Sequence, residues 1–179
     1  MKRRALLLAA AGVILLGVLA VVAFSGGTAV GKNGSTDPAA FDLPALHGPG
    51  RVRLADYQGT PVVVNMFASW CSNCRDELPL FARTALALRG RVQFVGVNSQ
   101  ETGDGAAMAN EFHLQASGFV LARDIGGSPA EGLHDALGAR GMPVTAFYSA
   151  QGRLLRTYRA QVPDSVLRST LQELYGISV

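Results

Sequence analysis

An α/β domain built on a sheet of mixed strand direction is the fold class that this 179-residue chain predicts. Three observations point there. Pro61 to Phe67 and Val92 to Val97 are short, nearly continuous apolar runs, the composition of strands buried on both faces of a sheet. A helical pattern separates them, and the carboxyl-terminal third holds a strand, a turn and a second strand followed by a closing helix. The order β-α-β, α, hairpin, α is that of a sheet carrying both parallel and antiparallel neighbours.

Each element has its own signal. Arg51 to Leu54 is a short candidate strand, and Val62-Val63-Val64 marks the first core strand. A helix is expected to open at Cys71 and Cys74 and to run through Leu78, Leu80 and Phe81 towards Arg89, with Gly90 as its stop. Pro79 is expected to distort it just after Glu77, because the proline ring removes an amide donor. Val92 to Val97 is the next strand, and further helices are expected from Asp104 to His113 and from Pro129 to Leu137. Val144 to Tyr148, the turn Ala150-Gln151-Gly152, and Arg153 to Arg159 make the hairpin. Pro163-Asp164 opens the last helix, whose Val166, Leu167, Leu171 and Leu174 fall on one face.

The amino terminus is organised differently. Ala5 to Phe24 is a run of 20 residues containing only Ala, Leu, Val, Ile, Phe and Gly, preceded by Lys2-Arg3-Arg4. As a helix it would be roughly 30 Å long, enough to cross a bilayer. Its length favours a retained signal anchor, one transmembrane helix over residues 1–24, above a cleaved signal peptide, whose apolar core is usually about 7 to 15 residues. Cleavage after the small residues of Ser25-Gly26-Gly27 or Ala29-Val30-Gly31 is the alternative, and it would yield a secreted protein. No cysteine follows the run, which rules out a lipoprotein anchor. Either way the remainder is exported, because the basic residues stay in the cytoplasm. Residues 25–37, with four glycines, two serines and two threonines, read as a flexible tether, and residues 38–179 as the folded domain.

The net charge of +3 belongs to that signal. Without Lys2, Arg3 and Arg4 the chain has 13 basic and 13 acidic residues and no later basic run, so it offers no phosphate-tracking face and no nucleic-acid partner is expected.

Trp70-Cys71-Ser72-Asn73-Cys74 carries the chemistry, and these two cysteines are the only ones in the chain. A CxxC between a buried strand and a helix puts the first cysteine at the helix amino terminus, where free amide groups and the macrodipole stabilise a thiolate. Cys71 is then the exposed nucleophile and Cys74 the shielded thiol that resolves the mixed disulfide. A metal half-site lacks partners, since His47, His113 and His134 are scattered; a purely structural disulfide over two residues would constrain little chain entropy. No metal and no cofactor beyond the Cys71–Cys74 pair is expected.

The stretch Val62-Val63-Val64-Asn65-Met66-Phe67-Ala68-Ser69-Trp70-Cys71-Ser72-Asn73-Cys74-Arg75-Asp76-Glu77-Leu78-Pro79 resembles the active-site region of membrane-anchored thioredoxin-like proteins of the TlpA and ResA type. The likeness runs from about Phe41 to the carboxyl terminus and includes Gly141-Met142-Pro143-Val144-Thr145. It implies a thioredoxin-like fold with a helix and strand inserted around Ala106 to Arg123, and a cis bond at Pro143 packed against the cysteine pair. Trp70, Met142 and Pro143 become the substrate-positioning residues. Plain thioredoxins carry a buried acid six residues before the first cysteine, where this chain has the non-titrating Asn65. Glu77, one helical turn after Cys74, matches the acid of the ResA-like pattern and is expected to take or return the resolving thiol's proton; the competing reading is a solvated helix glutamate.

The resemblance also implies protein thiol or disulfide substrates, apocytochrome c among them, and a membrane electron donor that regenerates the dithiol. Ser72-Asn73 contains no cation to favour the Cys71 thiolate, which argues against a very strong oxidant; the resemblance to the TlpA and ResA type implies a reductant, with an oxidant of exported proteins as the runner-up. A copper chaperone would want three residues between its cysteines where this chain has two, and a peroxide reductase would want a threonine and a proline shortly before its cysteine, where Phe67-Ala68-Ser69-Trp70 has neither.

Overall fold

The structure, a computed structural model, describes residues 37–124 and 132–179. Among these, no helix is long and apolar enough to cross a membrane; the expected anchor and almost all of the tether lie outside the described residues.

A five-stranded sheet forms the centre. Its strands are β3 (Val62–Phe67), β4 (Gln93–Asn98), β5 (Phe119–Arg123), β6 (Val144–Tyr148) and β7 (Leu154–Tyr158), in the spatial order β5-β4-β3-β6-β7. β3, β4 and β5 run parallel, whereas β6 is antiparallel to β3 and β7 to β6. The parallel pairs need crossovers, supplied by α1 (Ser72–Ala87) and α2 (Gly105–Glu111). The β6–β7 hairpin closes through a turn in which Gly152 donates its amide to the Ser149 carbonyl. α3 (Leu133–Ala136) and α4 (Asp164–Tyr175) complete the larger elements.

Most expected elements stand within one or two residues of their places. The strand expected at Arg51 to Leu54 is β2 (Arg51–Arg53), with Leu54 opening a short 3₁₀ turn. The third helix is shorter than expected, because α3 begins only at Leu133; residues 129–131 lie outside the described residues. α1 runs through Pro79 without ending. Proline there costs the bond to the Arg75 carbonyl, and the buried face of Cys74, Glu77, Leu78, Phe81 and Ala85 holds the helix on the sheet regardless. β1 (Asp42–Pro44) carries no sequence signal, since three residues ending in proline show no alternation. It pairs antiparallel with β2, and Asp42 accepts from the Arg51 guanidinium at 2.5 Å and from that of Arg53 at 3.3 Å. The Leu46 amide then bonds the Leu121 carbonyl, so this ribbon lies along β5 and covers an otherwise open sheet edge.

Period-two alternation along β3 sorts the core. Val62, Val64 and Met66 pack on one side with Phe41, Leu43, Leu133 and Tyr148, while Val63 and Phe67 pack on the other with Leu78, Phe81, Phe147 and Leu171. Asn65 falls between Val63 and Phe67 on the second side, facing α1. A polar side chain is thereby placed in the apolar layer under the cysteines.

Candidate active site

The site assembles where β3 gives way to α1. Cys71 is the residue before the first helical turn, with extended backbone, and its Sγ accepts the Cys74 amide at 3.0 Å. That amide is one of the donors a helix start leaves unpaired. The two sulfurs are joined in a disulfide with an S–S distance of 2.02 Å. The accessibility expected of Cys71 needs correction: it is 4% exposed, against 0% for Cys74. Its side chain belongs to the same buried cluster as Phe67 and Leu78, with Met142 packed against that cluster. Cys71 is the outer of the two sulfurs only by a narrow margin, and the exposed part of the motif is Trp70, Ser72 and Asn73.

The Met142–Pro143 peptide bond is cis, the geometry that the resemblance implied. Pro143 is buried at the start of β6, and Met142 is half-buried. His134 reaches this loop from α3, its Nε2 lying 3.1 Å from the Gly141 carbonyl oxygen. Its sequence position gives no hint of that.

Glu77 is 2% exposed, so the solvated reading does not stand. Its Oε1 accepts from the Asn65 amide at 2.7 Å and its Oε2 accepts the Val162 backbone N–H at 2.9 Å. Asn65 Nδ2 also donates to Thr145 Oγ1 at 3.2 Å, across the β3–β6 pairing in which these two residues are partners. Burial pushes the Glu77 carboxyl up to about 7 against the two hydrogen bonds, which favour the charged form. A buried group poised near neutrality within α1 is suited to exchanging a proton. The Asn65 Oδ1 has no hydrogen-bond partner among the described residues.

A second carboxylate was not anticipated. Glu101, in the loop after β4, accepts from the Ser69 amide and hydroxyl and from Asn98 Nδ2. The Trp70 indole N–H donates to the neighbouring Gln100 carbonyl at 2.7 Å. The only sequence sign of this arrangement is Asn98 and Glu101 three residues apart at the end of a core strand.

A strand, a helix-capping cysteine in a formed CxxC disulfide, and a cis-proline at the start of β6 describe a thioredoxin-like site. A family model described as AhpC/TSA matches residues 36–165, most of the chain. The chain belongs to the AhpC/TSA family. Within it, this thioredoxin-like protein is 35% identical over 139 residues to the thiol:disulfide interchange protein DsbE of Pseudomonas fluorescens biotype C, spanning 76% of this chain and 72% of that one. It is 42% identical over 78 residues to the thiol:disulfide interchange protein CycY of Rhizobium leguminosarum bv. viciae, spanning 42% of this chain and 38% of that one. Among solved structures it resembles an exposed lipoprotein thioredoxin of Streptococcus pneumoniae strain TIGR4, with a TM-score of 0.61 and 27% identity over 75% of this chain and 99% of that one. This AhpC/TSA member is a thiol:disulfide oxidoreductase, of the redoxin group that includes DsbE and CycY.

Proposed function

We propose that this oxidoreductase is an exported, membrane-tethered reductant of protein disulfides, apocytochrome c among its substrates, with no cofactor beyond its own cysteine pair and a membrane electron donor to regenerate it. The observation that carries the direction is electrostatic. Ser72-Asn73 places no cation between the cysteines, and the ionisable group buried beneath them on α1 is the acid Glu77. Neither adds to the stabilisation that the helix start gives a Cys71 thiolate, and a dithiol whose thiolate is less stabilised gives up its electrons more readily. The kinship with DsbE and CycY, and the likeness to TlpA and ResA, support the substrate class. The 20-residue apolar run behind a basic cluster supports the tether.

In the proposed cycle the Cys71 thiolate attacks one sulfur of a substrate disulfide, forming a mixed disulfide and releasing the other sulfur as a thiolate. Cys74 gives its proton to the Glu77 carboxylate and attacks the Cys71 Sγ, which restores the Cys71–Cys74 bond and expels the second substrate thiolate. Two electrons leave the protein and the substrate ends as a dithiol, one of its protons returned by Glu77 and the other taken from solvent. Trp70, Met142 and Pro143 are the residues proposed to position the substrate disulfide: Trp70 directly precedes Cys71, and Met142 packs against the buried cluster that holds it. The test is the reduction potential of the Cys71–Cys74 pair, joined to trapping of mixed disulfides by Cys74→Ala. A value near that of thioredoxin, about −270 mV, with apocytochrome c trapped, supports the reductant; a value near about −120 mV, with folding exported proteins trapped, overturns it.

A further inference from the structure

The Glu101 side chain ties the β4–α2 loop to the turn that carries Trp70. Glu101 Oε1 accepts from Ser69 Oγ at 2.5 Å, from the Thr102 amide at 3.0 Å and from the Gly103 amide at 2.8 Å. Its Oε2 accepts from the Ser69 amide at 2.9 Å and from Asn98 Nδ2 at 2.6 Å. Asn98 is itself held, because its Nδ2 also reaches the Phe67 carbonyl at 3.2 Å. Burial raises the cost of a charge here, yet the donors from Ser69, Asn98 and Gly103 together outweigh it and hold the carboxyl at about 2, ionised at any working pH.

Two glycines make the approach possible. A β-carbon on Gly103 would stand 2.7 Å from Ser69 Oγ, and one on Gly105 would stand 2.1 Å from Asn98 Nδ2. Between the clamped ends, Gln100 sits at φ +52°, a left-handed conformation unfavourable for a residue with a side chain. That conformation belongs to the same loop whose Gln100 carbonyl accepts the Trp70 indole N–H at 2.7 Å. Trp70 is 52% exposed and directly precedes Cys71. A half-exposed indole with a fixed edge, on the residue directly before Cys71, offers a rigid apolar plane.

We propose that Glu101 is a positioning residue for disulfide exchange: its carboxylate locks the β4–α2 loop onto Ser69, so that the Gln100 carbonyl holds the Trp70 ring as a fixed wall against which a polypeptide substrate lays its disulfide. The proposal needs the exchange activity and not its direction. It predicts a split that general damage to the site would not produce. A small dithiol reaches the sulfurs without the wall, whereas a polypeptide uses it.

The experiment compares wild type, Glu101→Ala, Glu101→Gln and Gly103→Ala as full chains in detergent. Reduction of insulin and reaction with dithiothreitol are measured side by side, together with the emission of Trp70, the one tryptophan in the chain. Glu101→Ala is expected to slow the insulin reaction about tenfold, equivalent to about 1.4 kcal/mol, while the dithiothreitol reaction stays within about twofold. Its Trp70 emission shifts to the red and becomes more open to acrylamide. Glu101→Gln, which keeps one acceptor oxygen, and Gly103→Ala, which pushes on Ser69 from the other side, shift both readouts the same way by less. Equal losses with insulin and dithiothreitol, or an unchanged insulin rate, overturn the proposal. So does unchanged Trp70 emission in all three variants. If Glu101→Ala does not fold, the two milder variants decide it by the same criteria.

Discussion

Replacing Glu77 with glutamine should remove a specific slope from the pH dependence of stability. The carboxyl has its ordinary value of 4.5 in the unfolded chain and about 7 in the fold, raised chiefly by burial. A raised carboxyl pKa means that the folded chain retains a proton that the unfolded chain has released. Its contribution is therefore fully present below about pH 4.5 and is lost as pH rises through about 7. At about 1.4 kcal/mol per unit, this removes about 2.5 kcal/mol of stability between about pH 5 and 8. The side chain is almost fully buried, so solvent screening takes little from that figure. Glutamine cannot titrate. It also presents an amide N–H towards the Asn65 or Val162 donors, which costs a hydrogen bond, but that offset is the same at every pH. Urea unfolding of the disulfide form at the two pH values, for both proteins, isolates the effect, because every other ionisable group is common to the two. Wild type should weaken towards pH 8 by about 2.5 kcal/mol more than Glu77→Gln. Parallel pH profiles would refute the placement of a near-neutral proton on Glu77, and with it the proposed relay. The same variant should slow the resolving attack of Cys74 and remove its dependence on a group titrating near 7.

Asn65→Asp would set a second carboxyl at the 2.7 Å contact with Glu77; the two cannot both ionise in an apolar layer, so the upper titration of the pair should move above 7, read as a higher pH midpoint for both stability and exchange. Tyr175→Phe removes a hydroxyl that donates to the Val62 carbonyl at 3.1 Å and the Tyr148 carbonyl at 2.9 Å, pinning α4 to the start of β3 and the end of β6. The loss should be about 1 to 2 kcal/mol, seen as a lower urea midpoint at unchanged slope, with the cysteine potential unaffected.

What could be read from the residues followed from how locally each feature is specified. Val62 to Phe67, Gln93 to Asn98 and the α4 face declare themselves by composition and period, and the CxxC declares its chemistry by spacing alone. β1 was illegible because its pairing with β2 is decided by Asp42 meeting Arg51 and Arg53 across a turn, a tertiary contact with no periodic trace. The exposure of Cys71 was overestimated for a related reason: a helix start is an open position in isolation, and the Met142–Pro143 loop that packs against the same cluster arrives from some 70 residues away.

The two carboxylates show why one was legible and the other not. Glu77 lies one helical turn from Cys74, and its burial follows from the α1 periodicity that also buries Leu78 and Phe81. Glu101 is 27 residues from Cys74 along the chain and reaches the motif only because parallel pairing of β3 with β4 brings Phe67 level with Asn98, so that both strands end at the same rim. The loops leaving that rim must then face each other, as they do at the carboxyl ends of strands in open parallel sheets generally. Identical chemistry is put to opposite uses by the two environments. Glu77 has two donors in an apolar layer and keeps its proton to near neutrality, whereas Glu101 has five donors at the rim and never binds one at working pH. An acid that titrates near 7 can move a proton during exchange; an acid held at about 2 can only hold its neighbours still.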